Sequence, residues 1–589
     1  MRARIATRRS AAWLIGLLGL ALAGCGSGPG PAKPRSALVI TLDTTRYDAL
    51  GCTGGPSQAS PNLDALAGEG VLYTHARTVA PLTMPSHATI LTGLTPLRHT
   101  VHTNSQLTLP ESAVTLAERA AERGFQTGAF VAAVVLADSF GLDQGFDVYD
   151  QPTPPLVQQT LHYDRRRAAE VADAAIAWID QLDPERPFLA WAHFFDPHLP
   201  YEPPQRFVDQ VGEEGYHAEV AAMDFAIGRI LDALRDKGLY DETMVVVVAD
   251  HGEGNGDHGE QTHGTLAFDS TIRVQMIVRY TDGHRAGERS DEIVSATDVY
   301  PTLVEALELG AINDVDGMSL FKRAVPPERG VYFESYYGFY SFGWSPVVGW
   351  ANRDGKYLHS SAPEFYTPRE DGGETLNRFD ALGDGVGAYR DGIDAVAGRS
   401  RLERATTDAA EAAVIAKLQG LGYTGAGSDA IGLPHPLEDT GLPSPLEMQE
   451  LYRVQLYAQD LNSAGRAAEA VPLYRRVVAG NEGNAAAWFQ LGGALIQVEE
   501  YEESIEASQR ALAVGHSWYG PHRNVGLAYD NLGQPEEALA GYKRALDTAP
   551  DMIDLLTRVI ALCEQLGDDD QANAFRMQLI QAREKEAAR

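Results

Sequence analysis

Three short, nearly unbroken apolar runs, each followed directly by an aspartate, restrict the possible folds of this chain more than any other feature. Ala37-Leu-Val-Ile-Thr-Leu leads into Asp43, Phe188-Leu-Ala-Trp-Ala-His-Phe-Phe into Asp196, and Met244-Val-Val-Val-Val-Ala into Asp250-His251. Runs this short and this apolar are the pattern of strands covered on both faces. Helical patterns alternate with them from Ala37 to about Gly425, which predicts an α/β domain with a mostly parallel sheet flanked by helices. Such sheets bind ligands beyond the carboxyl ends of their strands. A single aspartate there is an ordinary loop cap. Three at equivalent positions, with His198, His251 and His263 close by in sequence, point instead to a divalent metal site. Carboxylate and imidazole ligands suit Zn²⁺, Mn²⁺, Mg²⁺ or Ca²⁺, as one ion or two.

A chain of 589 residues exceeds what one core supports, so several domains are expected. Its net charge of −33 argues against nucleic-acid binding, which needs clustered Lys and Arg. It also means that an anionic substrate needs local positive charge to enter a site, and a metal ion would provide it. At the N-terminus, Arg2, Arg4, Arg8 and Arg9 precede an apolar run, Ala11 to Ala23, that is too short to span a bilayer comfortably. The run closes with Leu22-Ala23-Gly24-Cys25, which resembles a bacterial lipobox. Residues 1–25 are therefore expected to be a lipoprotein signal peptide with lipidation at Cys25, and residues 26–36 a tether. That would place the protein at the bacterial cell envelope, anchored in the outer membrane. Cys52 and Cys563 are the only other cysteines and fall in different predicted domains, so no disulfide framework is expected.

The segment Pro81-Leu-Thr83-Met-Pro-Ser86-His87-Ala-Thr-Ile-Leu-Thr-Gly93 places Thr83 just before a helical stretch, Ser86 to Leu91. A helix N-terminus favours an approaching anion through free N–H groups and the dipole, but the dipole contributes only ~0.3–1 kcal/mol. Read from the residues alone, Thr83 is a helix N-cap.

This segment resembles the nucleophile region of the sulfatase-like branch of the alkaline phosphatase superfamily, in which Cys-X-Pro-Ser-Arg opens a short helix ending in Thr-Gly. Further matches follow in the same order: Asp43-Thr-Thr-Arg46, Pro61-Asn-Leu-Asp, Gly141-Leu-Asp-Gln-Gly-Phe-Asp, Phe195-Asp196-Pro-His198, Asp250-His251-Gly-Glu, Asp257-His258-Gly, His263-Gly and Ser295-Ala-Thr-Asp298. The resemblance covers most of 37–425. It implies that Asp43, Thr83, Asp250 and His251 ligate one metal and that Thr83 is the nucleophile. Asp196, His198 and His263 would then be ligands of a second metal or contacts to the transferred group, with His198 and His263 in catalytic roles and Asp196 binding substrate. His87 would bind substrate as well, and His99 and His102 are further candidates for the pocket lining.

Three departures separate the chain from the sulfatase pattern. Thr83 stands where the formylglycine precursor does, His87 stands where the Arg does, and the Lys-X-His pair expected after Gln126-Thr-Gly-Ala is replaced by Phe130-Val-Ala-Ala-Val-Val-Leu. A Thr nucleophile resembles instead the phosphodiesterases and phosphoryl transferases of the superfamily. The expected activity is thus a metal-dependent hydrolase or transferase acting on phosphate or sulfate esters. The alternatives are a sulfate ester hydrolase working without formylglycine and an inactive domain that carries a scaffold.

Residues 426–446 are rich in Gly and Pro and form a predicted linker. Beyond it, from 447 to 589, Gly492 recurs as Gly526, Glu503 as Glu537 and Ala511 as Ala545, a period of 34 residues that resembles tetratricopeptide repeats. An all-α solenoid is predicted there, serving as a docking groove for a protein or peptide or as a stabilising spacer.

Overall fold

The computed structural model describes residues 30–104, 108–151, 166–322, 324–403, 432–515 and 519–588. Cys25 with its signal segment, and a final helix predicted from Ala413 to Tyr423, lie outside the described residues. Among the described residues no helix is long and apolar enough to cross a membrane.

The three apolar runs form β1 (Ser36–Leu42), β5 (Phe188–Phe194) and β6 (Thr243–Ala249), and every residue in them is buried. With β2 (Val71–Arg77), β3 (Gln126–Phe130), β4 (Val148–Asp150), β7 (Arg273–Arg279) and β8 (Glu288–Ser295) they make one eight-stranded sheet in the order β4-β3-β5-β1-β6-β7-β2-β8. All pairings are parallel except those of β7, which runs against both β6 and β2. The alternation of strands with long connections produces this topology, since parallel neighbours need crossovers. The helices Pro61–Glu69, Ala168–Gln181 and Tyr216–Asp236 pack together over one face of the sheet. Thr83–Thr92, Leu116–Glu122 and Val299–Ala306 pack together over the other. One continuous hydrophobic core fills both layers.

The register decides where the site lies. Leu42 pairs with Phe194 on one side and with Ala249 on the other, so the three strands end level. The chain then continues the ladder for one more bond on each side, Asp43 N–H to Phe194 O at 2.9 Å and Asp250 N–H to Leu42 O at 3.2 Å. Residues far apart in sequence are thereby set side by side at one sheet edge.

A second, antiparallel sheet of β9 (Val331–Ser335), β10 (Val347–Ala351), β11 (Lys356–His359) and β12 (Glu364–Tyr366) follows, in the order β12-β11-β10-β9. The remainder is helical. Antiparallel pairs begin with Gln449–Ser463 and Ala467–Gly480, continue with Ala485–Gln497 and Tyr501–Ala513, then Tyr519–Asn531 and Pro535–Thr548, and close with Ile553–Gln565 and Asp569–Ala588. The recurring small residues sit where helices cross. A Cβ on Gly492 would lie 2.5 Å from Ser508 Oγ, and one on Gly526 would lie 2.8 Å from the Tyr542 ring. Ala511 and Ala545 are fully buried in the same stack. Glycine and alanine at these crossings let neighbouring helices approach closely enough to bury one continuous apolar seam, which no single pair could do alone.

Candidate active site

Asp43, Asp250 and His251 are fully buried at the level ends of β1 and β6, each with a potential ligand atom within 4.8 Å of the others. The chain turns sharply after Asp43, because Thr44 adopts a left-handed conformation with φ +46°. A β-branched residue is strained there by ~1–3 kcal/mol. The Tyr216 hydroxyl holds the turn, donating to Thr44 O and accepting from Arg46 N–H, both at 2.8 Å.

Thr83 is the first residue of the Thr83–Thr92 helix, not a residue preceding it, and Leu82 occupies the cap position. Leu82 makes no side-chain cap, and it is Asn104 Oδ1 that accepts from the first-turn Met84 N–H at 2.9 Å, so the N-cap role open to Thr83 from sequence is excluded. Its hydroxyl instead lies 3.3 Å from Asp43 Oδ2 and 3.3 Å from His251 Nε2. The side chain is thus aimed away from its own helix and into a buried acid–histidine cluster.

The surrounding hydrogen bonds fix the histidine tautomers. His251 donates Nδ1–H to Gly252 O at 2.9 Å, so its Nε2 carries a lone pair facing Thr83 and Asp250 Oδ2, the latter at 3.6 Å. Burial, and then the neighbouring His263, push its pKa down to about 3, so the ring is neutral. Burial pushes Asp43 upward, but the hydrogen bond from His193 and the surrounding imidazoles outweigh it and hold the acid well below the usual range. Asp250 moves the other way, driven well above that range by burial and by the charge on Asp43. Asp43 Oδ1 and Asp250 Oδ2 are buried and accept no hydrogen bond. Two orphaned carboxylate oxygens and an imidazole lone pair converging in this way are a donor set for a divalent cation, whose charge would let both acids ionise.

His193 was read from sequence only as part of an apolar strand, yet it belongs to this cluster. Its Nδ1 accepts from Ala132 N–H at 3.2 Å, which leaves Nε2–H to donate to Asp43 Oδ2 at 3.3 Å. A histidine inside an otherwise apolar, fully covered strand was the signal available. His87, His193 and Asp250 form a second group with converging atoms. In that group both His87 nitrogens are already engaged, Nδ1–H with Thr83 O at 2.8 Å and Nε2 with the Thr41 hydroxyl at 2.9 Å. The first group is therefore the better cation site. His87, expected to bind substrate, instead fastens the backbone of Thr83 to β1 and is fully buried.

Asp196 lies two residues beyond β5, buried at 3% exposure, and is outside both groups of converging ligand atoms. His198 stacks on Phe195 with ring centres 4.3 Å apart and donates Nδ1–H to Leu199 O at 2.7 Å. Burial and then His263 lower its pKa, so Nε2 keeps a lone pair. His263 packs 4.3 Å from His251 and 5.4 Å from His198, closing the site. Burial opposes its charge, but Glu253, 3.2 Å from Nδ1, outweighs burial and raises its pKa. Glu253 is thus a site residue to which the sequence assigned no role. His99 and His102 are tied up elsewhere, His99 Nε2 to Thr89 Oγ1 at 3.1 Å and His102 Nδ1 to Glu334 Oε1 at 2.5 Å.

The eight-stranded sheet with helices on both faces is an α/β fold of the sulfatase type. Residues 35–309 match the family model described as Sulfatase. Residues 461–517 and 524–552 match models described as Tetratricopeptide repeat. It is 26% identical over 351 residues to an ulvan-active sulfatase of Formosa agariphila, covering 51% of this chain and 66% of the relative. It is 27% identical over 324 residues to human arylsulfatase A, covering 46% and 64%. The aligned part thus spans just under two thirds of each of these relatives. Among solved structures, one in complex with D-glucosamine-2-N,6-O-disulfate superposes with TM-score 0.54 at 19% identity, covering 62% of this chain and 97% of that one. The phosphonate monoester hydrolase of Agrobacterium radiobacter superposes with TM-score 0.50 at 22% identity, covering 62% and 94%.

Proposed function

We propose that the chain is a metal-dependent hydrolase of sulfate or phosphate esters in which Thr83 is the nucleophile. The observation that carries this reading is the Thr83 hydroxyl, 3.3 Å from both Asp43 Oδ2 and His251 Nε2 inside a buried cation-binding cluster. Asp43, Asp250, His251 and Thr83 would hold the divalent ion, which when bound supplies Lewis-acid polarisation and positive charge for the anionic ester. The names of the relatives favour a sulfate ester. A threonine in place of the formylglycine precursor, without the Lys-X-His pair, keeps a phosphate ester in play.

The residues divide the work between them. Thr83 gives its hydroxyl proton to Asp43 Oδ2 while its oxygen bonds to sulfur or phosphorus, and the ester S–O or P–O bond breaks with the alkoxide or aryloxide leaving to take a proton from solvent. His263, whose protonated form Glu253 favours, faces the charge that develops on the remaining oxygens. His198, whose lowered pKa favours the neutral imidazole, takes the proton of the water that releases the group, and Asp43 returns a proton to the Thr83 oxygen. A second alcohol in the place of that water would make the enzyme a transferase.

Parallel assays with an aryl sulfate, an aryl phosphate and an aryl phosphodiester, each with Zn²⁺, Mn²⁺, Mg²⁺ and Ca²⁺, test the reading. Thr83→Ala is expected to abolish turnover with an unchanged circular dichroism spectrum. Full activity in that variant would end the proposal. Export and anchoring through Cys25 are proposed on the lipobox-like sequence alone, and mass spectrometry of the membrane fraction for a diacylglyceryl-modified Cys25 tests them. The repeats are proposed to dock a protein or peptide partner.

A further inference from the structure

The loop that carries His263 is gripped from outside the sulfatase domain. Gly264 is pinched between Leu82, the residue before Thr83, and Tyr337, both close enough that a Cβ on Gly264 would come within 3.1 and 3.2 Å of them. On the outer side stands Gln449–Ser463, the first helix of the repeat region. Gln449, buried to 5% exposure, donates its side-chain N–H to Thr265 Oγ1 at 3.0 Å. Thr265 passes this on, donating both its hydroxyl and its N–H to Glu260 Oε1 at 2.6 and 2.7 Å, with Leu266 N–H a third donor at 3.0 Å. Gln449 also lies against Gly259, whose φ of +84° starts the turn into this loop. One helical turn further on, the buried Tyr452 ring packs on Phe342 and Trp344 at 5.0 and 5.8 Å, and its hydroxyl interacts electrostatically with Thr262 and Tyr337. Asn481, the residue just past the second repeat helix, donates Nδ2–H to Phe342 O at 2.8 Å.

Thr262 and Thr265 flank His263; Gln449 of the first repeat helix bonds Thr265 directly, and Tyr452 interacts electrostatically with Thr262. We propose that Gln449 and Tyr452 are positioning residues for His263, so that the active site is completed by the repeat region and not by the sulfatase domain alone. The inference rests on the catalytic reading of His263 given above. A loop rich in glycine, with left-handed turns at Gly256, Gly259 and Gly264, has little intrinsic stiffness. Without an outer buttress its histidine would sample positions away from the nucleophile, and displacements of about 1 Å are enough to cost orders of magnitude in rate. The repeats then do more than provide a separable docking surface, because their first helix belongs to the catalytic wall.

The test uses the full-length chain. Gln449→Ala and Tyr452→Phe are compared with Tyr542→Ala, which disturbs the third helix pair of the repeats far from the loop. Hydrogen exchange of peptides spanning 256–266 is expected to rise in the first two variants by roughly three- to tenfold, the loss of one hydrogen bond. It should not change in Tyr542→Ala. On the aryl ester that the wild type turns over, kcat is expected to fall about tenfold or more while KM stays within about twofold. Unchanged exchange, an equal rise in Tyr542→Ala, or an unchanged kcat beside raised exchange would each overturn the inference. If the wild type turns over none of the esters, the proposed function fails, and the exchange arm still decides whether the repeat helix holds the loop.

Discussion

His193 on β5 donates Nε2–H to Asp43 Oδ2 at the end of β1, across 3.3 Å between paired strands. The bond is enforced from behind by Ala132 N–H, which occupies the other ring nitrogen. It orients Asp43 so that Oδ1 faces Asp250 and His251. Hydrogen bonds of this kind behind a metal ligand typically account for 10- to 100-fold in metal affinity.

His193→Phe, which keeps the ring and loses the donor, is therefore expected to weaken divalent-ion binding by about 10- to 100-fold. Leaving Ala132 N–H without its acceptor adds a stability cost of ~1–3 kcal/mol. Calorimetric titration with the ion that best supports turnover measures the first effect and urea unfolding the second. Wild-type affinity in this variant would remove His193 from the site.

Metal binding should release a proton. Asp43 is already ionised, whereas Asp250 beside it is held protonated by burial and by that neighbouring charge. An arriving cation reverses the preference, and the acid must ionise to bind it. Calorimetry near pH 6 in two buffers of different ionisation enthalpy reports the proton count. Buffer-independent heats would contradict the assignment of Asp250 as a ligand.

Glu253 sets the charge of His263. Because Glu253 raises that pKa, the protonated form persists to higher pH in the wild type and is lost as pH climbs through the raised value. Glu253→Gln removes the cause, so the alkaline limb of the kcat profile should move to lower pH. A profile that does not move would show that His263 acts uncharged.

Glu260 makes stability depend on pH. Burial raises its folded-state pKa to about 7, against 4.5 in a solvated chain, despite three hydrogen bonds to one oxygen. The folded protein therefore holds a proton that the unfolded chain has already released. The associated stability is fully present below about pH 4.5 and is lost as pH rises through about 7, a difference of at most ~3 kcal/mol. Urea unfolding at pH 5 and pH 8 should show this loss in the wild type and a smaller one in Glu260→Gln. Parallel slopes in the two proteins would refute it.

Local rules reached a good part of this molecule. Buried strands announce themselves by unbroken apolar runs, and the residue that ends such a run is delivered to a sheet edge whatever the rest of the chain does. That logic found Asp43, Asp250 and His251, while the order of matching segments found Thr83. The period of 34 was equally legible, because each helix pair repeats the same packing requirement, and the buried Ala511 and Ala545 meet it.

What the sequence could not supply is the relation between segments. Leu42 pairs with both Phe194 and Ala249 because of sheet register, and only that register makes Asp43 and Asp250 neighbours. The alternation of side chains along β5 puts His193 on the face of Thr41 and Asp43, but it matters only once β5 lies beside β1. Nothing in the sequence placed the Thr83 hydroxyl beside Asp43 and His251, and nothing in it showed that both His87 nitrogens are occupied. Gln449 lies 184 residues from Thr265, beyond a stretch that reads as a linker. The sequence by itself determined the strands, the acids at their ends and the repeats. The tertiary structure decided which of these residues share an active site, because contact between distant segments is set by register and packing, which have no local signature.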